Sequence, residues 1–235
     1  MKIRELSVAG LAVATLLTIG CADEPQQKAV YAPQVLPKDF VAKVDHPYFP
    51  LVPGTTYTYQ QTEHGRVSDE VVTVTADTKT ILGVSCVVVH DVLTTAGVVA
   101  EDTFDWYAQD VKGNVWYFGE ATKEFKPDGS ADTEGSWEAG VNGAQPGVIM
   151  PANPQPDWPY HQEYLKGIAE DMGQVVAVDT IVKTPAGEYH GCVRTREWSP
   201  LEGGHESKWY AKGIGFVRSE STGGEVVELV EVSKP

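Results

Sequence analysis

The fold is decided by DWYAQDVKGNV at 105–115 and by its second occurrence, KWYAKGIGFV at 208–217. Each stretch contains an aromatic, strand-forming run, a turn marked by glycine, and the start of a second strand. That pattern is typical of a β-hairpin. Because the hairpin occurs twice, the sequence indicates an internal repeat.

Three further features precede each hairpin in the same order: a tyrosine, a Val-Val-x-Val run and a Cys-Val pair. They occupy Tyr59, 71–74 and Cys86 in the first copy, and Tyr164, 175–178 and Cys192 in the second. Helical periodicity is absent from this part of the sequence, and glycine and proline interrupt it at short intervals. We therefore predict two tandem β-meanders, over 55–120 and 158–220.

Neither copy is long enough to form two covered layers alone, so the two should share one core. The predicted fold class is all-β, either an antiparallel barrel or two packed curved sheets within one domain, 46–235. A barrel would also leave few open strand edges. The segment HPYFP at 46–50 is expected to plug one end, with a binding role for His46 as the alternative.

A long connection, 120–157, separates the two copies. It is rich in proline and glycine, but Trp137, Ile149 and Met150 indicate an ordered structure. Ordered connections of this length are usually functional.

Acidic residues beside tryptophan are typical of a sugar-binding cleft, where rings stack and carboxylates accept hydroxyl groups. Trp137 has no counterpart in the repeat. We therefore predict a ligand site at Trp137, with Glu138 and Glu120 as polar partners and Trp116 as a wall. The next candidate is the acidic cluster of Glu101, Asp102 and Asp105.

The N-terminus predicts export. A basic start and an apolar run over 6–19 precede Gly20-Cys21, which is typical of a bacterial lipoprotein signal, 1–20, with lipid carried on Cys21. The alternative is an ordinary secretory signal cleaved nearby. Ala22 after the cysteine favours the periplasmic face of the outer membrane. The proline-rich segment 21–45 is predicted to be a tether.

Lipidation would leave Cys86 and Cys192, which form either a disulfide or two separate buried thiols. No two histidines have metal-ligand spacing, and 128–134 lacks the glycine and glutamate that an EF-hand loop needs. We therefore predict no metal and no cofactor. Acids outnumber bases 33 to 18, which excludes the basic surface of a nucleic-acid binder.

Four stretches carry a family resemblance: HPYFPLVPG at 46–54, DWYAQD at 105–110, GNVWYFGE at 113–120 and GSWEAG at 135–140. They resemble an uncharacterised family of bacterial secreted proteins and lipoproteins. The resemblance implies a place in the cell envelope and supplies no catalytic residues.

The sequence thus favours a lipid-anchored envelope protein that binds a small molecule or an envelope partner without catalysis. One alternative is a carboxylate-dependent hydrolase acting on a carbohydrate or related polymer, and another is a structural or assembly lipoprotein. A carboxyl with a raised pKa near Trp137 would favour the hydrolase. A ligand-sized cavity would favour the binding protein, and a filled barrel would favour the structural role.

Overall fold

Antiparallel strands make up most of the computed structural model, which describes residues 31–126 and 128–235. A short 3-10 helix, Pro37–Asp39, precedes eighteen strands. The strands are β1 Phe40–Val41, β2 Val44–His46, β3 Phe49–Leu51, β4 Thr56–Glu63, β5 Arg66–Ile81, β6 Val84–Thr95, β7 Val98–Asp110, β8 Val115–Phe125, β9 Ala131–Asp132, β10 Trp137–Glu138, β11 Gln145–Met150, β12 Tyr160–His161, β13 Glu163–Tyr164, β14 Met172–Thr184, β15 Gly187–Trp198, β16 Glu206–Ala211, β17 Gly215–Ser221 and β18 Val226–Ser233. Within the described residues, no helix has the length and apolar character needed to cross a membrane.

One sheet contains sixteen of the strands and curls into a nearly closed barrel. Its order is β12-β14-β15-β16-β17-β18-β4-β5-β6-β7-β8-β11-β13, with β1, β9 and β10 added at its side. The two end strands, β12 and β13, are consecutive in the chain, so one short segment joins the two edges of the sheet. The all-β prediction is confirmed, and the sheet has the form of a barrel.

The two copies place their matched tryptophans at corresponding points. Trp106 on β7 lies opposite Val88 on β6, and Trp209 on β16 lies opposite Arg194 on β15. A β-bulge follows each tryptophan, where β7 meets β8 and where β16 meets β17. Strands β5–β8 therefore correspond to β14–β17.

Two details of the predicted repeat are wrong. Val74 lies opposite Val89, and Val175 lies opposite Thr195 at the matching position of β15. The two Val-Val-x-Val runs are therefore out of register by three residues. In addition, Tyr164 lies on β13, which pairs with β11 and not with β14, because the seam of the barrel falls at this point.

The outer faces of the two copies differ in how they are covered. Trp106 is only 6% exposed, and it packs in an outer cluster that includes Val35 and Phe40 from the N-terminal segment and Ala139 from the 120–157 connection. The side chain of Trp209, at the equivalent position, is half-buried. The connection is thus ordered, as predicted, and forms β9, β10 and β11.

Part of the predicted tether belongs to the folded domain. The hydroxyl of Tyr31 donates a hydrogen bond to the carbonyl oxygen of Pro146 (3.0 Å), and β1 pairs with β7. These contacts bind the segment to the barrel wall, so the compact unit begins at Tyr31 and not at residue 46. The signal peptide, Cys21 and the rest of the tether lie outside the described residues.

The segment at 46–50 caps one end of the barrel. Strands β2 and β3 form a separate two-stranded sheet. The ring of Phe49 packs against Tyr107 (5.2 Å between centroids) and Tyr210 (6.3 Å). The backbone N–H of Gly213 donates to the carbonyl of Pro47 (2.7 Å), which fixes the cap to the β16–β17 turn.

The two described cysteines are free, buried thiols. Cys86 packs in the outer cluster, whereas Cys192 packs in the main core. Of the two alternatives, the structure has the separate thiols and no disulfide. Burial raises the pKa of Cys86 to about 12 and that of Cys192 to about 11, so both are poor nucleophiles.

The different covering of the two tryptophans gives a matched test. We expect Trp106→Ala to lower the free energy of unfolding by about 3–5 kcal/mol, because it removes a large buried side chain. Trp209→Ala should cost less, since that side chain is only partly buried. Chemical denaturation of both variants measures the difference, and equal losses would contradict the description of the outer cluster.

Candidate functional site

A cavity of about 230 Å³ lies inside the barrel next to the cap. Its apolar lining includes Phe49, Leu51, Val74, Ile149 and Phe216. Its charged lining residues are Glu70, Asp91, Asp105 and Lys208. The cavity therefore combines an apolar wall with a group of ionisable residues.

The repeat brings charged residues to the same interior positions in both copies. Asp105 and Lys208 immediately precede the two equivalent tryptophans. Asp91 and Glu197 each lie three residues beyond the residue opposite that tryptophan. One interior position is thus acidic in both copies, while the other is acidic in the first copy and basic in the second.

Glu70 and Asp91 form a carboxyl pair. Asp91 lies opposite Val72, so Glu70 and Asp91 are diagonal neighbours on one face of the sheet. Burial, and then the charge of the partner, raises the pKa of Asp91 to about 10. Burial also raises the pKa of Glu70. At neutral pH the pair therefore carries one negative charge.

A second acidic pair is bridged by a tyrosine. The hydroxyl of Tyr117 donates to Asp105 Oδ1 at 2.6 Å and also lies 3.1 Å from Glu120 Oε2. Burial is the main cause that raises the pKa of Asp105 to about 6 and that of Glu120 to about 8. The charge of Asp105 adds to the shift of Glu120, so Glu120 is the more readily protonated member.

Lys208 is the only lysine or arginine among the described residues that line this cavity and the second one below. Its Nζ lies 3.2 Å from Glu197 Oε2 and 3.3 Å from Glu206 Oε2. Burial alone would lower the pKa of Lys208, but the negative charge of Glu197 outweighs it and raises the pKa well above the usual value. The ammonium group is therefore charged at physiological pH.

Glu197 is held as a carboxylate inside the barrel. It accepts hydrogen bonds from the hydroxyls of Thr195 (2.6 Å) and Tyr210 (3.0 Å). Burial alone would raise the pKa of Glu197, but Lys208 and these donors together lower it. Glu197 and Lys208 thus form an ion pair in which the glutamate is buried and the lysine side chain is 31% exposed.

A second cavity of about 500 Å³ begins at Lys208, which it shares with the first. Glu163, Asp171 and Glu197 line it, together with the loop 199–205. Ile168 and Leu201 are exposed and lie on its wall. Because these loops are at the end opposite the cap, the second cavity provides a mouth for the barrel.

The predicted site residues fall on two sides of the wall. Trp137 lies opposite Glu120 across β10 and β8, is almost fully buried, and meets the ring of Tyr117 edge-on at 5.3 Å. Glu138 instead forms an ion pair with Lys79 (2.7 Å), next to the outer cluster. The reason is that neighbouring residues of a strand point to opposite faces.

Trp116 is also separated from the interior pair. Its indole N–H donates to Asp110 Oδ2 at 2.9 Å, and its ring packs edge-on against Phe40. The structure therefore brings Trp137 and Glu120 together and separates them from Glu138 and Trp116, and none of these four residues lines either of the two cavities.

In the alternative acidic cluster, only Asp105 lines the cavity. Asp102 contacts His90 (2.8 Å between Nε2 and Oδ1), and Glu101 accepts a hydrogen bond from Thr103 (2.7 Å). The sequence analysis missed four interior residues: Glu70, Asp91, Glu197 and Lys208. The available signal was their spacing: Glu70, Asp91 and Lys208 each lie two residues from an apolar or aromatic residue of the same strand face, namely Val72, Val89 and Tyr210.

Among the described residues, no group of three or more His, Cys, Asp or Glu side chains is placed to hold a metal ion. In the acidic loop 128–134, Asp128 Oδ1 accepts hydrogen bonds from the backbone N–H and the hydroxyl of Ser130. This carboxylate therefore has a structural role in its own turn.

No protein-family model matches the chain, and a search of curated proteins also finds no match. One similar structure is a Bacteroides fragilis protein inferred to be exported and described as having a YmcC-like fold. It is 20% identical, with a TM-score of 0.47, over 80% of this chain and 99% of that chain. Another is a Parabacteroides distasonis protein inferred to be a lipoprotein, 14% identical, with a TM-score of 0.40, over 79% and 98%. Neither likeness is close enough to carry a conclusion about this chain.

The raised pKa of Glu120 predicts how stability depends on pH. The folded protein binds this proton more tightly than the unfolded chain, whose pKa is about 4.5. Its contribution to the free energy of unfolding is therefore complete at low pH and is lost as the pH rises towards about 8. Glu120→Gln cannot lose a proton, so we expect the variant to gain on the order of 2–4 kcal/mol relative to wild type between about pH 5 and pH 8.

The control for this experiment is Glu138→Gln, which removes a carboxylate that already has Lys79 as its partner. Its difference from wild type should change little over the same pH range. Denaturant unfolding at several pH values provides the measurement. If both variants follow wild type, Glu120 is not protonated inside the barrel.

Proposed function

We propose that this chain is a lipid-anchored cell-envelope protein whose barrel binds a small ligand in its interior, without catalysis. The observation that carries the proposal is the cavity that holds Glu70, Asp91, Asp105 and Lys208 beneath an apolar wall. A barrel with only a structural role would be more stable with a packed apolar interior, because buried charges lose their hydration. A bound ligand with complementary polar groups would compensate these residues for their lost hydration.

The lining of the first cavity suggests the class of ligand. Its apolar residues, such as Phe49 and Phe216, suit a hydrocarbon or ring system. At neutral pH the charged part of this lining combines the single negative charge of the Glu70–Asp91 pair with Asp105 and Lys208. We expect a compact ligand with an apolar body and a head that donates hydrogen bonds, either neutral or cationic.

The hydrolase remains the second candidate because of Glu120 and Glu163. Burial is the main cause that raises the pKa of Glu163 to about 7 and that of Glu120 to about 8, and a general acid needs such a raised pKa. Both carboxyls also lie beside Trp137. However, Asp105 lines the first cavity, Glu163 lines the second, and Glu120 lines neither of the two. A substrate in either cavity would therefore not meet Glu120 and Glu163 together, which disfavours this pair as the acid and base of a hydrolase.

The proposed location rests on the N-terminal sequence. An apolar run ending in Gly20-Cys21 supports lipidation of Cys21, and Ala22 supports retention at the periplasmic face of the outer membrane. A structural or assembly role for the anchored domain is the remaining alternative, and the interior cavity argues against it.

A substitution inside the cavity tests the binding proposal. Val72 lines the cavity, whereas its neighbour Val71 points outward and is 39% exposed. Val72→Phe should fill the space and lower the affinity for the molecule that copurifies with the native protein by a factor of at least about ten. Val71→Phe adds the same ring outside the barrel and should leave binding unchanged.

Mass spectrometry of the native protein identifies the copurifying molecule, and calorimetry measures its affinity. Thermal midpoints of both variants check that the fold is intact. If a folded Val72→Phe protein binds as tightly as wild type, the ligand does not occupy this cavity. Turnover of that molecule by the wild-type protein would support the hydrolase instead.

The anchor has its own test. Cys21→Ser removes the thiol that would carry lipid, so we expect the protein to move from the membrane fraction to the soluble periplasmic fraction. Fractionation and mass analysis of the N-terminal peptide provide the measurement. Equal membrane retention of the serine variant would contradict the lipoprotein signal.

A further inference from the structure

The outer face of the second copy carries arginines next to tryptophans. Arg194 and Arg196 lie two residues apart on β15 and so share one face of the sheet. The guanidinium carbon of Arg194 lies 5.9 Å from the ring centroid of Trp209, and that of Arg196 lies 5.5 Å from the ring of Trp198. We call these residues, together with Trp158, the Arg–Trp face.

Neither arginine has an acidic partner. Within the part of the chain that the structure describes, neither Arg194 nor Arg196 takes part in an ion pair, and Arg194 Nε has no hydrogen-bond partner. Arg218 on the neighbouring β17, by contrast, is paired with Glu220 and Glu228. In a protein with a net charge of -15, two arginines without acidic partners beside aromatic rings indicate a binding surface for an anionic group.

Trp158 extends this face at the seam of the barrel. Its side chain is 85% exposed, on a segment held between Pro156 and Pro159. The side-chain amide of Gln174 donates to the carbonyl of Asp157 (2.8 Å), and Gln174 lies directly opposite Arg196. The backbone next to Trp158 therefore contacts the residue directly opposite Arg196.

The position of the proposed lipid anchor identifies the partner. Nine residues, 22–30, separate Cys21 from Tyr31, which allows a reach of at most about 35 Å. Tyr31 stacks on His161 with 4.2 Å between ring centroids, and His161 is paired with Met172 at the start of β14. Tyr31, the first described residue, thus lies near the start of β14, at the edge next to the segment that carries Trp158.

We propose that the Arg–Trp face docks the barrel onto the surface of an anionic phospholipid bilayer. Tryptophan is favoured at the interface between lipid and water, and arginine binds lipid phosphates. The acidic remainder of the surface would be repelled by the same lipids, so docking in one orientation follows. This inference rests on the proposed lipid anchor but not on the ligand in the cavity.

The test places a fluorescent label on the lipidated full-length protein in vesicles of phosphatidylethanolamine and phosphatidylglycerol. Cys86 and Cys192 are buried thiols with raised pKa values, so an environment-sensitive thiol dye should react with an introduced cysteine alone. Trp158→Cys places the dye, itself an apolar ring system, where the exposed indole was, so the labelled face keeps an apolar group at this position. Val98→Cys places it on the β6–β7 hairpin, where Val98 is 69% exposed.

We expect brominated lipids to quench the dye at position 158 several-fold more strongly than the dye at position 98. The double substitution Arg194→Gln, Arg196→Gln in the Trp158→Cys protein should abolish that difference. The matched control, Arg66→Gln with Lys112→Gln, removes two exposed charges elsewhere and should preserve it. High salt and phosphatidylcholine vesicles should both weaken the quenching.

Equal, weak quenching at both positions in a folded, lipidated protein would overturn the proposal. Shielding of position 158 in isolated native envelopes, but not in pure lipid vesicles, would also overturn it and would assign the face to an envelope protein or polysaccharide. Mass analysis of the Cys21 peptide is made first. An unmodified Cys21 refutes the proposed anchor, whereas a lipidated protein that does not dock refutes only this inference.

Discussion

The interior of the barrel depends on one ion pair, Lys208 with Glu197. Without the ammonium group, Glu197 would be a buried carboxylate among other acids and without a cationic partner, which is destabilising. Lys208 also lines both cavities, so it lies between the cavity by the cap and the cavity at the mouth. The same contact thus supports the fold and shapes the site.

The repeat explains how a single cation came to lie there. Equivalent strands carry the same pleat, so equivalent residues face the interior in both copies. Asp105 and Lys208 occupy one such position and differ in charge, while Asp91 and Glu197 occupy another and are both acidic. A single change of sign between the copies therefore decides which acids stay ionised: Glu197 has Lys208 as its partner, whereas Asp91 must share a proton with Glu70.

The sequence alone predicted the all-β fold, the equivalence of Trp106 and Trp209, and an ordered structure for the 120–157 connection, because strand propensity and repeat spacing are local signals. It failed where the answer depends on the pleat and on the closure of the sheet. The sequence groups Glu138 with Glu120 because both belong to the 120–157 connection around Trp137, yet the pleat sends Glu138 outward to Lys79. The carboxyl pair of Glu70 and Asp91 joins two strands, and no spacing within one strand could reveal it.

The outer faces of the two copies differ for a related reason. Val88 and Arg194 are equivalent residues, each opposite its copy's tryptophan. In the first copy the N-terminal segment and the connection cover that face, so an apolar residue and a buried Trp106 complete a second core. In the second copy the equivalent face carries arginine, which a buried layer would not tolerate without a partner. The covered face therefore stabilises the domain, and the charged one is the face left for an anionic surface.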